Sequence, residues 1–189
     1  IQSVAKTKAG YLLAPWLIST QIACFNKTKI KDHPSTIQKL EELGASGKRI
    51  GLAANLFELK WTAGTQGAIS EFSALGRGIT TNQAYPGIQA WLQWLQRAAL
   101  YKNISFHEDA KELSLKLQNN ELDWITCWGG ILLEDLKKTM GNKLGVAALP
   151  NGSRSQAFPP QIFYGFSLGK NSSQSQQTTA LKFIKSNVN

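Results

Sequence analysis

Residues 105–150 decide the fold, and their sequence is SFHEDAKELSLKLQNNELDWITCWGGILLEDLKKTMGNKLGVAALP. Apolar residues in the first part recur at helical spacing, and Ser105 with Glu108 forms a capping pair, so we predict a helix that starts there. Short apolar runs then predict strands over 123–127 and 144–148, on either side of a second helical segment. Strands that alternate with helices are typical of an α/β sheet with helices on both faces.

The same alternation continues on both sides of this stretch. Short apolar runs predict further strands over 22–25, 50–54 and 162–168. Helical spacing predicts helices over about 57–72, 86–101, 131–140 and 176–186. In sheets of this kind, ligands bind beyond the carboxyl ends of the strands.

Length and composition exclude several classes of protein. A chain of 189 residues can bury a full hydrophobic core, and 42% hydrophobic against 17% charged residues is the composition of a globular protein. No apolar run approaches the roughly 18 residues that a membrane-spanning helix needs.

The charge is basic and unevenly distributed. The formal net charge is +9, and residues 136–189 contain seven basic and no acidic side chains. A basic excess favours an anionic partner, such as a nucleic acid or a lipid surface. Most of the basic residues are isolated in the sequence, however, so we expect a solvated surface and do not expect nucleic acid to be the partner.

The chain contains two cysteines, Cys24 and Cys127, each within an apolar run that we predict to be a strand. Two cysteines are too few for a disulfide framework, and free cysteine is among the most buried residue types. We therefore expect two buried free thiols, with a single bridge between them as the alternative. One pair leaves the redox compartment undecided.

Catalytic and metal-binding motifs are incomplete. Gly165-Phe-Ser167-Leu-Gly169 matches the spacing of a hydrolase nucleophile elbow, but no acid follows Asp135 and no histidine follows His107. Neither His33 nor His107 has further ligands at metal-binding spacing. We therefore expect no enzyme, no metal site and no cofactor.

The six tryptophans are the best candidates for a binding role. Trp91 and Trp94 lie three residues apart in the strongest predicted helix, and Trp124 lies within a predicted strand, so we expect these in the core. The others lie at or near predicted strand ends; they are Trp16, Trp61 and Trp128. For these, core packing and stacking on a ligand ring are equally supported.

Six short motifs follow one another along the chain. They are Gly10–Pro15 with Ile22–Lys27, Pro34–Leu40, Phe106–Asp123, Leu144–Pro150, Gly165–Leu168 and Thr179–Ile184. In this order and spacing they resemble segments of the extracellular solute-binding proteins of ABC importers, in particular of the maltose-binding type. Leu144-Gly-Val-Ala-Ala-Leu149-Pro150, for example, is similar to the family's Tyr-Gly-Val-x-x-Leu-Pro, whereas Ile37 stands where the family usually has Trp.

The resemblance implies a periplasmic-binding-protein type II-like α/β lobe, with a mixed sheet flanked by helices. The family has two lobes with the solute between them, and most of the other lobe has no counterpart in this sequence. We therefore expect one lobe over residues 1–189, with 162–189 crossing toward an absent second lobe. The implied location is periplasmic or extracellular, with any membrane anchor in a segment outside this chain.

The resemblance also implies a function, which is the substrate-binding component, or a fragment of one, of an ABC transporter. The implied partners are a small-molecule solute, in particular a carbohydrate, and the ABC permease of the full-length protein. An uncovered last helix predicts that the isolated lobe self-associates. The alternatives are a basic module that binds an anionic polymer and a sensor domain derived from a solute-binding protein.

Position by position, the resemblance places eight residues at the ligand. They are Trp16, Ser19, Asn55, Phe57, Glu58, Trp61, Trp128 and Tyr164. The aromatic rings are expected to stack on a sugar ring, and the polar side chains to bond its hydroxyl groups. We also expect the three tryptophans of this set to cluster at one edge of the sheet.

Overall fold

The computed structural model describes residues 6–7, 10–11, 14–79, 85–153 and 155–187. It divides into two units. The larger unit is Thr20–Pro160, and the smaller unit combines Ile1–Ser19 with Gln161–Asn189. That the whole chain forms one lobe, with its C-terminal part crossing toward a second, stays a prediction.

The described residues form strands and helices in alternation. The strands are β1 (Lys6–Thr7), β2 (Gly10–Tyr11), β3 (Ala14–Asn26), β4 (Ile50–Ala53), β5 (Ile104–His107), β6 (Trp124–Trp128), β7 (Leu144–Ala147) and β8 (Gln161–Phe166). The helices are α1 (Ile37–Ala45), α2 (Leu56–Thr65), α3 (Ile69–Gly76), α4 (Pro86–Ala98), α5 (Ala110–Gln118), α6 (Ile131–Met140) and α7 (Gln174–Asn187). Among these helices, none combines the length and the apolar character that crossing a bilayer requires.

The main sheet is mixed, as predicted. Its strand order is β5-β4-β6-β3-β7, and β8 also pairs with β3. Strand β4 runs parallel to β5 and β6, whereas β3 runs antiparallel to β6 and β7. The carboxyl ends of β4, β5 and β6 therefore meet at one edge of the sheet, and Gln21 of β3 lies at this edge because it pairs with Trp128.

The sheet separates two hydrophobic clusters, because neighbouring residues of a strand face opposite sides. Leu52 and Trp124 belong to a cluster that includes side chains of α1, α2 and α4. Ala53 and Ile125 belong to a cluster that includes side chains of α5 and α6. Helices therefore cover both faces. The tryptophans predicted to lie in the core are confirmed there, since each is at most 5% exposed: Trp91, Trp94 and Trp124.

Two predicted elements differ from the structure in their extent. The helical pattern over 57–72 is interrupted at Gly67, whose φ of +76° separates α2 from α3. Conversely, the strand predicted over 22–25 is longer than expected, because β3 runs without interruption from Ala14 to Asn26.

The helix expected to start at Ser105 begins later. Residues Ile104–His107 form β5, which pairs with β4, and the capping pair of Ser105 and Glu108 does not start a helix. Asp109 caps α5 instead, and its Oδ1 accepts hydrogen bonds from the backbone N–H groups of Lys111 and Glu112 at 2.8 and 2.9 Å.

The prediction of two free thiols is wrong, because Cys24 and Cys127 form a disulfide bond. They lie on the neighbouring strands β3 and β6, where Ile22 pairs with Cys127 and Cys24 pairs with Ile125. This diagonal offset of two residues places both side chains on the same face, with their Cα atoms 5.9 Å apart. Both residues are fully buried.

His33 stacks against two aromatic rings, with its centroid 5.4 Å from that of Phe25 and 6.5 Å from that of Trp124. Its Nε2 lies 2.9 Å from the carbonyl oxygen of Ala148. Because a carbonyl oxygen only accepts, this nitrogen carries the hydrogen and donates a hydrogen bond to Ala148. Its Nδ1 is buried without a hydrogen-bond partner among the described residues. Burial lowers the pKa of His33, although the bond to Ala148 acts in the opposite direction.

We expect protonation of His33 to destabilise the fold. Because its pKa is lowered, the folded chain favours the neutral ring, and this stabilisation is lost as the pH falls below the ordinary histidine value of 6.5. Urea unfolding at about pH 7.5 and about pH 5.5 measures the loss. The variant His33→Asn keeps an N–H donor but does not titrate, so it should lose less stability over this interval. Equal losses in the two proteins would contradict the prediction.

The smaller unit exposes aromatic side chains. The ring centroid of Trp16 in β3 lies 5.5 Å from that of Phe166 in β8, and Phe166 lies 5.7 Å from Phe183 in α7. Trp16 is 58% exposed, Phe183 is 55% exposed and Leu181 is 43% exposed. The last helix therefore presents the apolar surface on which the expected self-association rests. The self-association itself stays a prediction.

Candidate functional site

The candidate site is built where β4 ends and α2 begins. Asn55 caps α2, and its Oδ1 accepts a hydrogen bond from the backbone N–H of Glu58 at 2.9 Å. Residues 55–58 thereby follow directly from the edge at which the carboxyl ends of β4, β5 and β6 meet. The cap fixes the first turn of α2 and hence the position of the Glu58 side chain.

The Glu58 carboxylate is the centre of the site. It is 8% exposed and accepts hydrogen bonds from three side chains. Its Oε1 accepts from Asn55 Nδ2 at 3.0 Å, and its Oε2 accepts from Trp128 Nε1 at 3.1 Å and from Gln21 Nε2 at 3.5 Å. These donors offset the cost of removing a charged carboxylate from water. We call Gln21, Asn55, Glu58 and Trp128 the Glu58 cluster.

An aromatic surface adjoins this cluster. The ring of Phe57 stacks on the indole of Trp128, with centroids 5.8 Å apart and an angle of 8° between the planes. Phe57 is 49% exposed, whereas Trp128 is 7% exposed. Chemically, the site therefore combines an accessible aromatic ring with hydrogen-bonding groups that neighbouring side chains hold in place.

The structure thus brings together Asn55, Phe57, Glu58 and Trp128 from the set predicted from sequence. Trp61 does not join them. It is 0% exposed and lies in the core, with its ring centroid 6.5 Å from that of Trp124. Trp61 lies one helical turn after Glu58, on the side of α2 that faces the sheet. The expectation that Trp61 faces a ligand is therefore corrected to a core role.

The other predicted site residues belong to the smaller unit. Trp16 is 58% exposed and Tyr164 is 45% exposed, whereas Ser19 is 5% exposed. The ring of Trp16 contacts that of Phe166. Of the three tryptophans expected to cluster, Trp128 lies in the Glu58 cluster and Trp61 lies in the core. Trp16 belongs to the smaller unit.

Gln21 is a member of the Glu58 cluster that sequence reasoning missed. It lies opposite Trp128 in the β3–β6 pair, and it is 1% exposed. Its Oε1 is buried without a hydrogen-bond partner among the described residues. The available signal was a long polar side chain directly before the apolar run 22–25, because a buried amide needs partners.

Ser105, His107 and Glu112 form a second polar chain. Ser105 Oγ lies 2.8 Å from His107 Nε2, and His107 Nδ1 lies 2.9 Å from Glu112 Oε1, distances that a nucleophile relay also shows. Ser105 and Glu112 also form hydrogen bonds with backbone groups of the fold. Ser105 Oγ donates to the Ile50 carbonyl at 3.2 Å, and Glu112 Oε2 accepts from the Glu108 backbone N–H at 3.1 Å.

The bond from His107 lowers the pKa of Glu112, so this carboxylate remains charged and holds the start of α5 to β5. We interpret the hydrogen-bonded series of Ser105, His107 and Glu112 as structural. Within the described ranges, no group of three or more histidine, cysteine, aspartate or glutamate side chains could hold a metal ion.

Comparison with known proteins gives a fold and no sequence family. No protein-family model matches the sequence, and no curated protein matches it. Among solved structures, the GacH receptor of Streptomyces glaucescens, described unliganded and in complex with acarbose, aligns with a TM-score of 0.77 at 16% identity. The alignment covers 97% of this chain and 50% of the receptor. The fold is periplasmic-binding-protein type II-like.

Two further solved structures align with this chain over a similar extent. Maltose-bound MalE3 of T. maritima aligns with a TM-score of 0.73 at 17% identity, over 97% of this chain and 52% of MalE3. The maltose/maltodextrin-binding domain MalE of Bdellovibrio bacteriovorus, bound to maltotriose, aligns with a TM-score of 0.74 at 18% identity. This alignment covers 97% of this chain and 51% of the Bdellovibrio protein. This chain therefore spans about half the length of these proteins. GacH is described as a receptor, and the Bdellovibrio protein as a maltose/maltodextrin-binding domain.

Proposed function

We propose that this chain is a solute-binding lobe of an ABC transporter's substrate-binding protein and that its solute is a carbohydrate. The observation that carries the proposal is the Glu58 cluster with the half-exposed ring of Phe57 beside it. Both lie where the strands of an α/β sheet end, which is the usual place for a ligand.

The chemistry of this site suits a sugar. A saccharide ring has hydroxyl groups at its rim and apolar C–H groups on its faces. Phe57 offers a surface on which such a face can stack, and Asn55 and Glu58 offer amide and carboxylate groups for the hydroxyls. The complexes with acarbose, maltose and maltotriose among the structural neighbours support the same class of ligand.

The proposed location is periplasmic or extracellular. The buried Cys24–Cys127 disulfide supports it, because such bonds form and persist in oxidising compartments. In the proposed assembly, a second lobe completes the binding site and a permease receives the loaded protein. Trp16, Ser19 and Tyr164, which belong to the smaller unit, stay predicted ligand residues. A sensor domain derived from such a protein has the same binding site, so the test below applies to it equally.

Tryptophan fluorescence, titrated with maltose and maltotriose, tests the proposal directly. The variant Glu58→Gln removes the charged acceptor, and we expect it to weaken saccharide binding about tenfold or more, since hydrogen bonds to charged groups contribute about 1.5–3 kcal/mol. Glu42→Gln, an exposed position on α1, is the matched control and should bind like the wild type.

Salt dependence separates the proposal from the basic-module alternative. Saccharide binding should barely change between low and high salt, whereas binding of a polyanion such as heparin should weaken steeply. If neither sugar perturbs the fluorescence and heparin binds with a steep salt dependence, the carbohydrate proposal is wrong.

A further inference from the structure

A cavity of about 500 Å³ lies between α2, α3 and α4 of the larger unit. The helices line it with Leu56, Phe57, Lys60, Ala63, Phe72 and Trp91. A volume of this size is within the range of small-molecule sites, which is roughly 300–1,000 Å³. Two of the lining side chains at the start of α2 are accessible to solvent, since Leu56 is 70% exposed and Phe57 is 49% exposed.

The walls of this cavity are apolar apart from Lys60. Phe72 meets Trp91 edge to face, with ring centroids 5.4 Å apart. The indole Nε1 of Trp91 donates to Thr62 Oγ1 at 2.8 Å, so its hydrogen-bonding capacity is already used within the protein. A saccharide would leave its hydroxyl groups unpaired against such walls. The cavity therefore suits a different chemical class from the Glu58 cluster.

Lys60 places one positive charge at this cavity. Its Nζ lies 5.1 Å from the ring centroid of Phe158, within the distance of a cation–π contact. Among the described residues, no carboxylate forms an ion pair with Lys60. An apolar cavity with an ammonium that no carboxylate neutralises is complementary to a molecule with an apolar body and one acidic group.

We propose that this cavity binds a small amphipathic anion. Its ring or chain lies against Leu56, Phe72 and Trp91, and its carboxylate or sulfonate lies at Lys60. The site is separate from the proposed saccharide site, although Phe57 borders both, and the inference does not depend on carbohydrate binding. The net charge of +9 adds a favourable field for anions.

Two related dyes provide the test on the full chain. 1-Anilinonaphthalene-8-sulfonate carries a sulfonate, and N-phenyl-1-naphthylamine has the same ring system without it. Both fluoresce in apolar surroundings, so titration with each gives an affinity. We expect saturable binding of both to the folded protein. Maltotriose, added at saturation for any saccharide site, should not displace them competitively.

The variant Lys60→Met keeps an apolar stem and removes the charge. We expect it to weaken binding of the sulfonate dye by roughly two- to fivefold and to leave the neutral dye within about twofold. Lys111→Met, at an exposed position on α5, is the matched control for charge and should leave both affinities unchanged. The difference between the two dyes isolates the ammonium from any general effect on the cavity.

The variant Leu56→Ser tests the apolar wall without threatening the core, because this side chain is 70% exposed. It should weaken both dyes, whereas Leu115→Ser, which changes a 51% exposed leucine on α5, should weaken neither. The proposal is overturned if the dyes do not saturate, if Lys60→Met affects both dyes equally, or if Leu56→Ser affects neither. Failure of maltotriose to bind, with these dye results intact, would count against the proposed function alone.

Discussion

Replacing both Cys24 and Cys127 by alanine is expected to lower the free energy of unfolding by about 4 kcal/mol. The bond joins residues separated by 103 positions, and closing a loop of about 100 residues restricts the unfolded chain by roughly 4.7 kcal/mol in the chain-entropy model. Since domains of this kind are stable by only about 5–15 kcal/mol, the loss is a large fraction of the total. Urea denaturation of the variant and the wild type measures it.

A reducing agent provides the control for this prediction. Under reducing conditions in urea, the unfolding midpoint of the wild type should move toward that of the double variant, and the variant should not respond. Thiol titration of the unfolded, unreduced protein should find no free thiol. Two titratable thiols per chain would contradict the bond and, with it, the support for an oxidising compartment.

Most of the larger unit follows from local sequence. Helix α6 matches its predicted range, because Gly130 and Gly141 bound an uninterrupted helical pattern. The strand over residues 50–53 was predictable because all four of its residues are buried and it reads as one apolar run. Strand β5 was missed for two reasons. Ile104 is the one buried residue among its four, and Ser105 with Glu108 has the spacing of a helix capping pair.

The disulfide could not be predicted in the same way. Cys24 and Cys127 meet because β3 pairs with β6 in a particular register, and strand pairing across about 100 residues leaves no local mark on the sequence. For Gln21 the polar side chain is a local signal, but its partners Glu58 and Trp128 come from other elements and could not be predicted locally.

The candidate site could be predicted up to the first turn of α2. Asn55 and Glu58 follow a strand directly, so their place at the edge of the sheet depends only on the strand end and the helix cap. Trp61 is one turn further on, and whether a helical residue faces solvent or sheet depends on how the helix packs. The orientation of Trp61 is determined by the contact of α2 with Trp124 and not by the distance of Trp61 from the strand end.

Trp61→Ala is expected to lower the free energy of unfolding by about 3–5 kcal/mol, the usual result of deleting a fully buried large aromatic side chain. The indole contacts Trp124 in the cluster between the sheet and α2, so truncation leaves a cavity in that cluster. Its Nε1 has no hydrogen-bond partner among the described residues, so the cost arises from lost packing and not from a broken bond. Leu92→Ala on α4 is the matched control, because that side chain is 54% exposed and its loss should cost less than about 1 kcal/mol. Urea denaturation compares the variants, and saccharide titration below the unfolding transition shows whether binding changes separately. If Trp61→Ala abolishes binding while its unfolding curve matches that of the wild type, Trp61 faces the solute and the core assignment is wrong.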